Sequence, residues 1–215
     1  PIAERYAMTW RLHFSDDRLK MVLFVSKQSH ALYDILSRWQ SGEFAVDIPM
    51  IVSNHTDLET VAKQFDIPFH LFEIGKGDKA QVEQAQLELL DRVQPDFIVL
   101  ARYMQILSND LSRALEGRCI NIHHSALPSF KGAHPYHQAH QRGVKLIGAT
   151  AHYVTSDLDE GAIIEQSVQP VDHTYRSDML VAVGRDTETV ALAKAVKLHI
   201  EHRVFLDGNK TVIFR

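Results

Sequence analysis

The sequence predicts an open, mostly parallel, doubly wound α/β sheet, and three observations carry that prediction. Short continuous apolar runs stand at residues 21–25 (MVLFV) and 97–101 (FIVLA), the pattern of strands buried on both faces. Segments with apolar residues at helical spacing lie between and beyond them, so strands alternate with helices long enough to cross over a sheet. The composition agrees: 215 residues, 45% hydrophobic and 23% charged, match a globular chain and not a disordered or disulfide-stapled one.

Taken in order, Tyr6, Met8, Trp10, Leu12 and Phe14 alternate with Arg5, Ala7, Thr9, Arg11 and His13, the period of a half-buried strand. One strand cannot bury its own face, so it either joins the main sheet or ends a separate N-terminal unit. The polar break at Ser15, Asp16, Asp17 and Arg18 favours the second, with residues 1–19 as remnant and linker and 20–215 as one domain. Strand 21–25 leads into a helix carrying Ala31, Leu32, Ile35, Leu36 and Trp39, stopped by Gly42. Residues 44–52 read as strand interrupted by Pro49, 58–65 as a short helix and 69–74 as a strand. Residues 79–93 place Val82, Ala85, Leu89, Leu90 and Val93 on one helical face, before strand 97–101. Residues 119–123, 147–154 and 163–168 give three more strands, and 178–203 is largely helical.

With 23 Lys and Arg against 27 Asp and Glu, the formal net charge of −4 lacks the basic excess that drives counterion release, so no nucleic-acid partner is expected. The single cysteine, Cys119, sits in an apolar run and reads as a buried thiol in a reducing compartment. No stretch approaches the roughly 18–20 apolar residues of a membrane span, and no signal-peptide layout opens the chain. The expectation is a soluble, cytoplasmic protein without a membrane partner.

Ligands of open α/β sheets bind beyond the carboxyl ends of the strands, which directs attention to the residues after Val25, Ala101, Ile122 and Val154. Residues 26–30 (SKQSH) contain no glycine, which argues against NAD, ATP or any phosphate cradled at that turn. At the end of strand 119–123, Asn121 and His123 point to one side and His124 to the other. An amide and an imidazole there can polarise a carbonyl and move a proton, or they can simply satisfy loop backbone groups. Strand 147–154 carries His152 and is followed by Asp157, Asp159 and Glu160; a carboxylate there can orient an imidazole, or belong to an ordinary solvated turn. His134, His137 and His140 recur in steps of three, which drift around a helix, and no H-E-x-x-H or paired-Cys pattern exists, so no metal is expected. His199 and His202 read as the surface of the last helix.

The run N-I-H-H-S-A-L-P-S-F-K-G at residues 121–132, followed by H-Y-V-T-S-D-L-D-E-G at 152–161, resembles the formyltetrahydrofolate-dependent formyltransferase-fold family. Within it, S-K-Q-S-H at 26–30, A-R-Y-M-Q-I-L at 101–107, K-G-A-H-P-Y-H-Q-A-H at 131–140 and G-N-K-T-V-I-F at 208–214 are most similar to the formyltetrahydrofolate deformylases. The resemblance spans about residues 20–215. It implies that Asn121 donates to the formyl oxygen, that His123 shuttles a proton to the leaving folate nitrogen, and that Asp159 supports the protonated imidazole and positions water. It further implies that Met104, Gln105, Ile106 and Leu107, with His152, Tyr153, Thr155 and Asp157, hold the pterin. No permanently bound cofactor is expected, 10-formyltetrahydrofolate being the substrate. Members of this branch carry an ACT-type N-terminal domain, and the strand at residues 6–14 is similar to its last strand.

Three functions compete on this reading. The first is hydrolysis of 10-formyltetrahydrofolate to formate and tetrahydrofolate. The second is transfer of the formyl group to a small amine or sugar nucleotide, with Lys27 and Arg102 available for an acceptor phosphate. The third is folate binding without turnover. The absence of a glycine-rich turn favours water as acceptor, the intact Asn121, His123 and Asp159 favour turnover, and the unpaired strand at 6–14 favours a homo-oligomer.

Overall fold

A computed structural model describes residues 2–14, 16–75, 77–128 and 135–214, without the side chains of Pro135 and His137. His134 and the ring of His137 therefore lie outside the described residues. The elements run α1 (Ile2–Arg5), β1 (Leu19–Val25), α2 (His30–Gln40), β2 (Val46–Asp47), β3 (Ile51–Ser53), α3 (Glu59–Gln64) and β4 (Phe69–Leu71). There follow α4 (Lys79–Val93), β5 (Phe97–Leu100), α5 (Asn109–Ala114), β6 (Cys119–His123), α6 (Pro135–Arg142), β7 (Leu146–Tyr153), β8 (Ile163–Pro170), α7 (Ser177–Ile200), β9 (Val204–Asp207) and β10 (Lys210–Ile213).

One sheet runs β4-β3-β1-β5-β6-β7-β8, with β2 beside β1. Pairing is parallel from β4 to β6 and antiparallel across β6, β7 and β8. From β1 the chain first builds outward through β3 and β4 and then returns to place β5 on β1's other side. This reversal opens a crevice at the carboxyl ends of β1 and β5.

Strand alternation divides the core between the two faces. Met21, Leu23 and Val25 pack with Leu32, Ile35 and Leu36 of α2 and Leu192, Ala195 and Val196 of α7. Val22 and Phe24 pack on the opposite face with Leu89 and Leu90 of α4 and Leu111 of α5. Both faces of β1 are covered, which is why its sequence is a continuous apolar run. Cys119 is fully buried, and burial pushes its thiol far up from the ordinary range, as expected of an inert core cysteine. No helix among the described residues is long and apolar enough to cross a membrane.

Two expectations fail here. Residues 6–14 form no strand: their backbone has no ladder partner among the described residues, and Tyr6, Met8, Trp10, Leu12 and Phe14 are all exposed. Period-two alternation specifies a strand only where a neighbouring edge supplies hydrogen bonds. His199 is also not a surface residue of α7. Its ring lies 4.6 Å from that of Phe97, and the Tyr153 hydroxyl is 2.8 Å from its Nδ1. His202, just past the helix, stacks on His13.

Burial, reinforced by the nearby His202, pushes His199 down to about 4. Because this lies below the unfolded value of about 6.5, the group's contribution is complete above that pH and is lost as pH falls toward 4. The expected loss is about 3 kcal/mol, read as a fall in urea midpoint between pH 7.5 and 4.5. His199→Gln should flatten that fall; an unchanged slope would show that His199 is not its source.

Candidate active site

The crevice is tied together by Ser26, at the end of β1. Its hydroxyl donates to Asn54 Oδ1 (2.6 Å), past β3, and accepts from the backbone N–H of Met104 (2.9 Å), past β5. The loops after β1 and β5 are thereby fixed to each other, and both border a cavity of about 610 Å³. Met104, Gln105, Ile106 and Leu107 form one wall and Thr155, Asp157, Leu158 and Asp159 another, with Asn121, His123 and His152 between them. Lys79 Nζ donates to the Ile106 carbonyl and Glu83 accepts from Ser108 N–H, so α4 anchors the first wall.

Asn121 and His123 share the β6 side that faces α4 and α5, the side of Cys119. His124 does not follow the alternation, because β6 ends at His123. Its ring stacks on His123 with centroids 5.0 Å apart, and it too lines the cavity. The loop after His124 is held by the fully buried Thr150, whose hydroxyl donates to the Ser125 carbonyl (2.9 Å) and accepts from Leu127 N–H (3.0 Å).

Asp159 stands in the left-handed region at φ +58°, which Asp tolerates better than most residues, and this turns its carboxylate back toward β6. Oδ2 lies 3.2 Å from His123 Nδ1, and Oδ1 lies 3.7 Å from His152 Nε2. Burial raises the Asp159 carboxyl, but the hydrogen bond from His123, with the nearby His152 imidazole, outweighs it and holds the group well below the ordinary carboxylate range. The carboxylate therefore stays ionised and can stabilise an imidazolium. The opposite nitrogen, His123 Nε2, is buried and has no hydrogen-bond partner among the described residues, free to act on a bound molecule.

His152 Nδ1 lies 2.9 Å from the Tyr153 carbonyl, an acceptor, so this nitrogen carries the hydrogen. In the neutral ring Nε2 then presents its lone pair to Asn121 Nδ2, 3.2 Å away. One amide hydrogen of Asn121 is consumed, which fixes the amide orientation and leaves the second hydrogen for a substrate oxygen. Gly161 makes this approach possible: a Cβ there would sit 1.7 Å from the same Tyr153 carbonyl.

Of the residues singled out in the sequence, Asn121, His123, Asp159, Met104, Gln105, Ile106, Leu107, His152, Thr155 and Asp157 all line the cavity. The side chain of Tyr153 does not line it: that ring packs in the core against α7, and its carbonyl reaches the site through His152. No group of three or more His, Cys, Asp or Glu among the described residues is placed to hold a metal ion. Sequence reasoning missed Glu188, Tyr136 and the Ser26–Asn54 clasp. For Glu188 a signal existed: it falls on the α7 face that carries Leu192 and Ala195, and a carboxylate on a buried face requires partners.

A family model described as formyl transferase matches residues 19–196. The chain is 53% identical over 213 residues to a formyltetrahydrofolate deformylase of Synechocystis sp., covering 99% of this chain and 75% of that one. Among solved structures it is similar to a formyltetrahydrofolate deformylase from Burkholderia mallei, with TM-score 0.94, 55% identity, and coverage of 100% of this chain and 76% of the other. A glycinamide ribonucleotide transformylase from Symbiobacterium toebii is similar at TM-score 0.87 and 27% identity, covering 96% of this chain and 99% of the other.

Proposed function

The chain belongs to the formyl transferase family, among relatives named formyltetrahydrofolate deformylase, and from that premise we propose that it hydrolyses 10-formyltetrahydrofolate to formate and tetrahydrofolate. The observation that carries the chemistry is His123 Nε2, without a partner among the described residues, backed on its other nitrogen by ionised Asp159 and flanked by the oriented Asn121 amide. In this reading the formyl carbon lies between them. His123 Nε2 takes a proton from the attacking water, whose oxygen bonds to the formyl carbon. Asn121 Nδ2 donates to the oxygen that becomes negative. The proton passes from His123 to N10, the C–N bond breaks, and N10 leaves as an amine while formate departs with the second oxygen from water. Asp159 holds the imidazolium that forms between the two transfers.

His152 is a positioning residue that works through Asn121 and Asp159. The pterin lies against the wall of Met104, Gln105, Ile106 and Leu107 and the loop of Thr155 and Asp157. The reading is tested by following formate with no amine present. Release matched by tetrahydrofolate supports hydrolysis; release that requires an added amine overturns it. Asp159→Asn removes the charge with little change in shape and should lower kcat about 100-fold or more, with substrate binding retained. Wild-type-like turnover would remove Asp159 from the reading.

Residues 20–215 act as the catalytic unit in this reading, in the cytoplasm, where reducing conditions suit Cys119. We also place the protein in a homo-oligomer, because Tyr6, Met8, Trp10, Leu12 and Phe14, five large apolar side chains within nine residues, are all exposed. A monomer in sedimentation equilibrium would contradict this.

A further inference from the structure

Next to the catalytic histidine the cavity wall is built from a connected set of charged and polar groups. His123 stacks on His124, and His124 Nδ1 is in hydrogen-bond contact with Arg102 Nη1. The same guanidinium places Nε 3.1 Å from Gln28 Oε1 and 3.4 Å from Glu188 Oε2. Glu188 is almost fully buried, accepting from the Tyr136 hydroxyl (2.6 Å) at Oε1 and lying 2.7 Å from His30 Nε2 at Oε2. Tyr136 reaches it because position 184 on α7 is glycine; a Cβ there would sit 2.1 Å from the tyrosine ring.

Arg102 itself has φ +64°, in the left-handed region where glycine is the default residue. Its side chain is only 7% exposed although it lines the cavity. A long cationic side chain is thus held in a disfavoured backbone conformation, packed inward and neutralised by a buried carboxylate. An unfavourable conformation kept at a site points to a role there.

We propose that the Arg102–Glu188 pair is the specificity determinant that makes water the formyl acceptor, by filling the space beside His123 that an amine acceptor would need. This rests on the hydrolysis reading of the site. Any competing nucleophile must bring its nitrogen to the formyl carbon within reach of His123 Nε2. Water fits beside the packed guanidinium, whereas an amine carrying further atoms meets it. The pair also answers the phosphate question raised by the sequence. Arg102 is committed to Glu188, Gln28 and His124, and a phosphorylated acceptor entering here would face the Glu188 carboxylate behind a charge already neutralised.

Arg102→Gly tests this directly, since glycine accepts φ +64° and removes only the side chain. The variant is incubated with 10-formyltetrahydrofolate and glycinamide, a small primary amine, and formate and N-formylglycinamide are both measured. In the transfer reaction the amine nitrogen bonds to the formyl carbon and the bond to N10 breaks. The amine's proton passes through His123 to N10, giving N-formylglycinamide and tetrahydrofolate. Wild type should give formate alone. In Arg102→Gly, N-formylglycinamide should appear and its ratio to formate should rise with amine concentration, to at least about tenfold above the detection limit at which wild type shows none. Formate alone from the folded variant would overturn the proposal.

Should Arg102→Gly not fold, Glu188→Gln is the second variant, leaving the guanidinium without its neutralising charge. O-phosphoethanolamine should then inhibit it competitively with the substrate while leaving wild type unaffected, and equal inhibition of both would overturn the proposal. The product ratio would not respond to a purely structural role of Arg102, which lowers both reactions together. Formate release by wild type without amine tests the hydrolysis reading alone, so failure of one is distinguishable from failure of the other.

Discussion

His123→Ala should lower kcat for formate release by at least about 100-fold, the smaller end of what a positioned acid-base group contributes. The expectation follows from how the ring is held. Nδ1 is committed to Asp159 and Nε2 is buried without a partner among the described residues, so Nε2 is the atom placed to carry a proton between water and N10. Stacking of His124 on His123 does not supply a substitute, because His124 Nδ1 is already engaged by Arg102. The loss should fall on kcat, with tetrahydrofolate still bound by the walls at Met104–Leu107 and Thr155–Asp159. Stopped-flow measurement of a single turnover reads this. A variant within a few-fold of wild type would mean that the proton travels by another route.

Asn121→Ala should cost about 100- to 1,000-fold in kcat, the usual consequence of removing a donor aimed at a developing oxyanion. Here the orientation of the donor is determined by neighbours: the Tyr153 carbonyl fixes the His152 tautomer, and His152 fixes the Asn121 amide. The same chain of contacts predicts that His152→Phe, which keeps the ring but removes the acceptor, reproduces part of the Asn121 loss. If Asn121→Ala changed KM alone, the amide would be a binding contact and not a stabiliser of the transition state.

Much of this site was legible in the sequence because its residues obey short-range rules. The run at β6 bounded a strand from Cys119 to His123, and period-two alternation placed Asn121 and His123 on the same side, as the structure has them. The helix Lys79–Val93 was legible from its apolar face. Asp159 was legible only as one of three carboxylates in a turn, and choosing it depended on a resemblance. What brings it to His123 is a left-handed backbone at its own position and the close approach of Gly161 to the Tyr153 carbonyl, both products of tertiary packing.

Where alternation was extended past its support, it misled. His124 lies beyond the end of β6 and stacks on His123, and residues 6–14 alternate without an edge to pair with. Long-range partners were not legible at all. Glu188 meets His30, Arg102 and Tyr136 from three other parts of the chain, and no local pattern encodes that convergence. Short elements were overlooked although they carry local signals: Ser108 caps α5 through Leu111 N–H, and Gly208 at φ +60° turns the β9–β10 hairpin.

The central claim is that water attacks the formyl carbon at His123, and turnover in H₂¹⁸O tests it most directly. With no amine present, mass spectrometry of the products should find one ¹⁸O in each formate and an equal amount of tetrahydrofolate. Unlabelled formate, or tetrahydrofolate formed without formate, would contradict it.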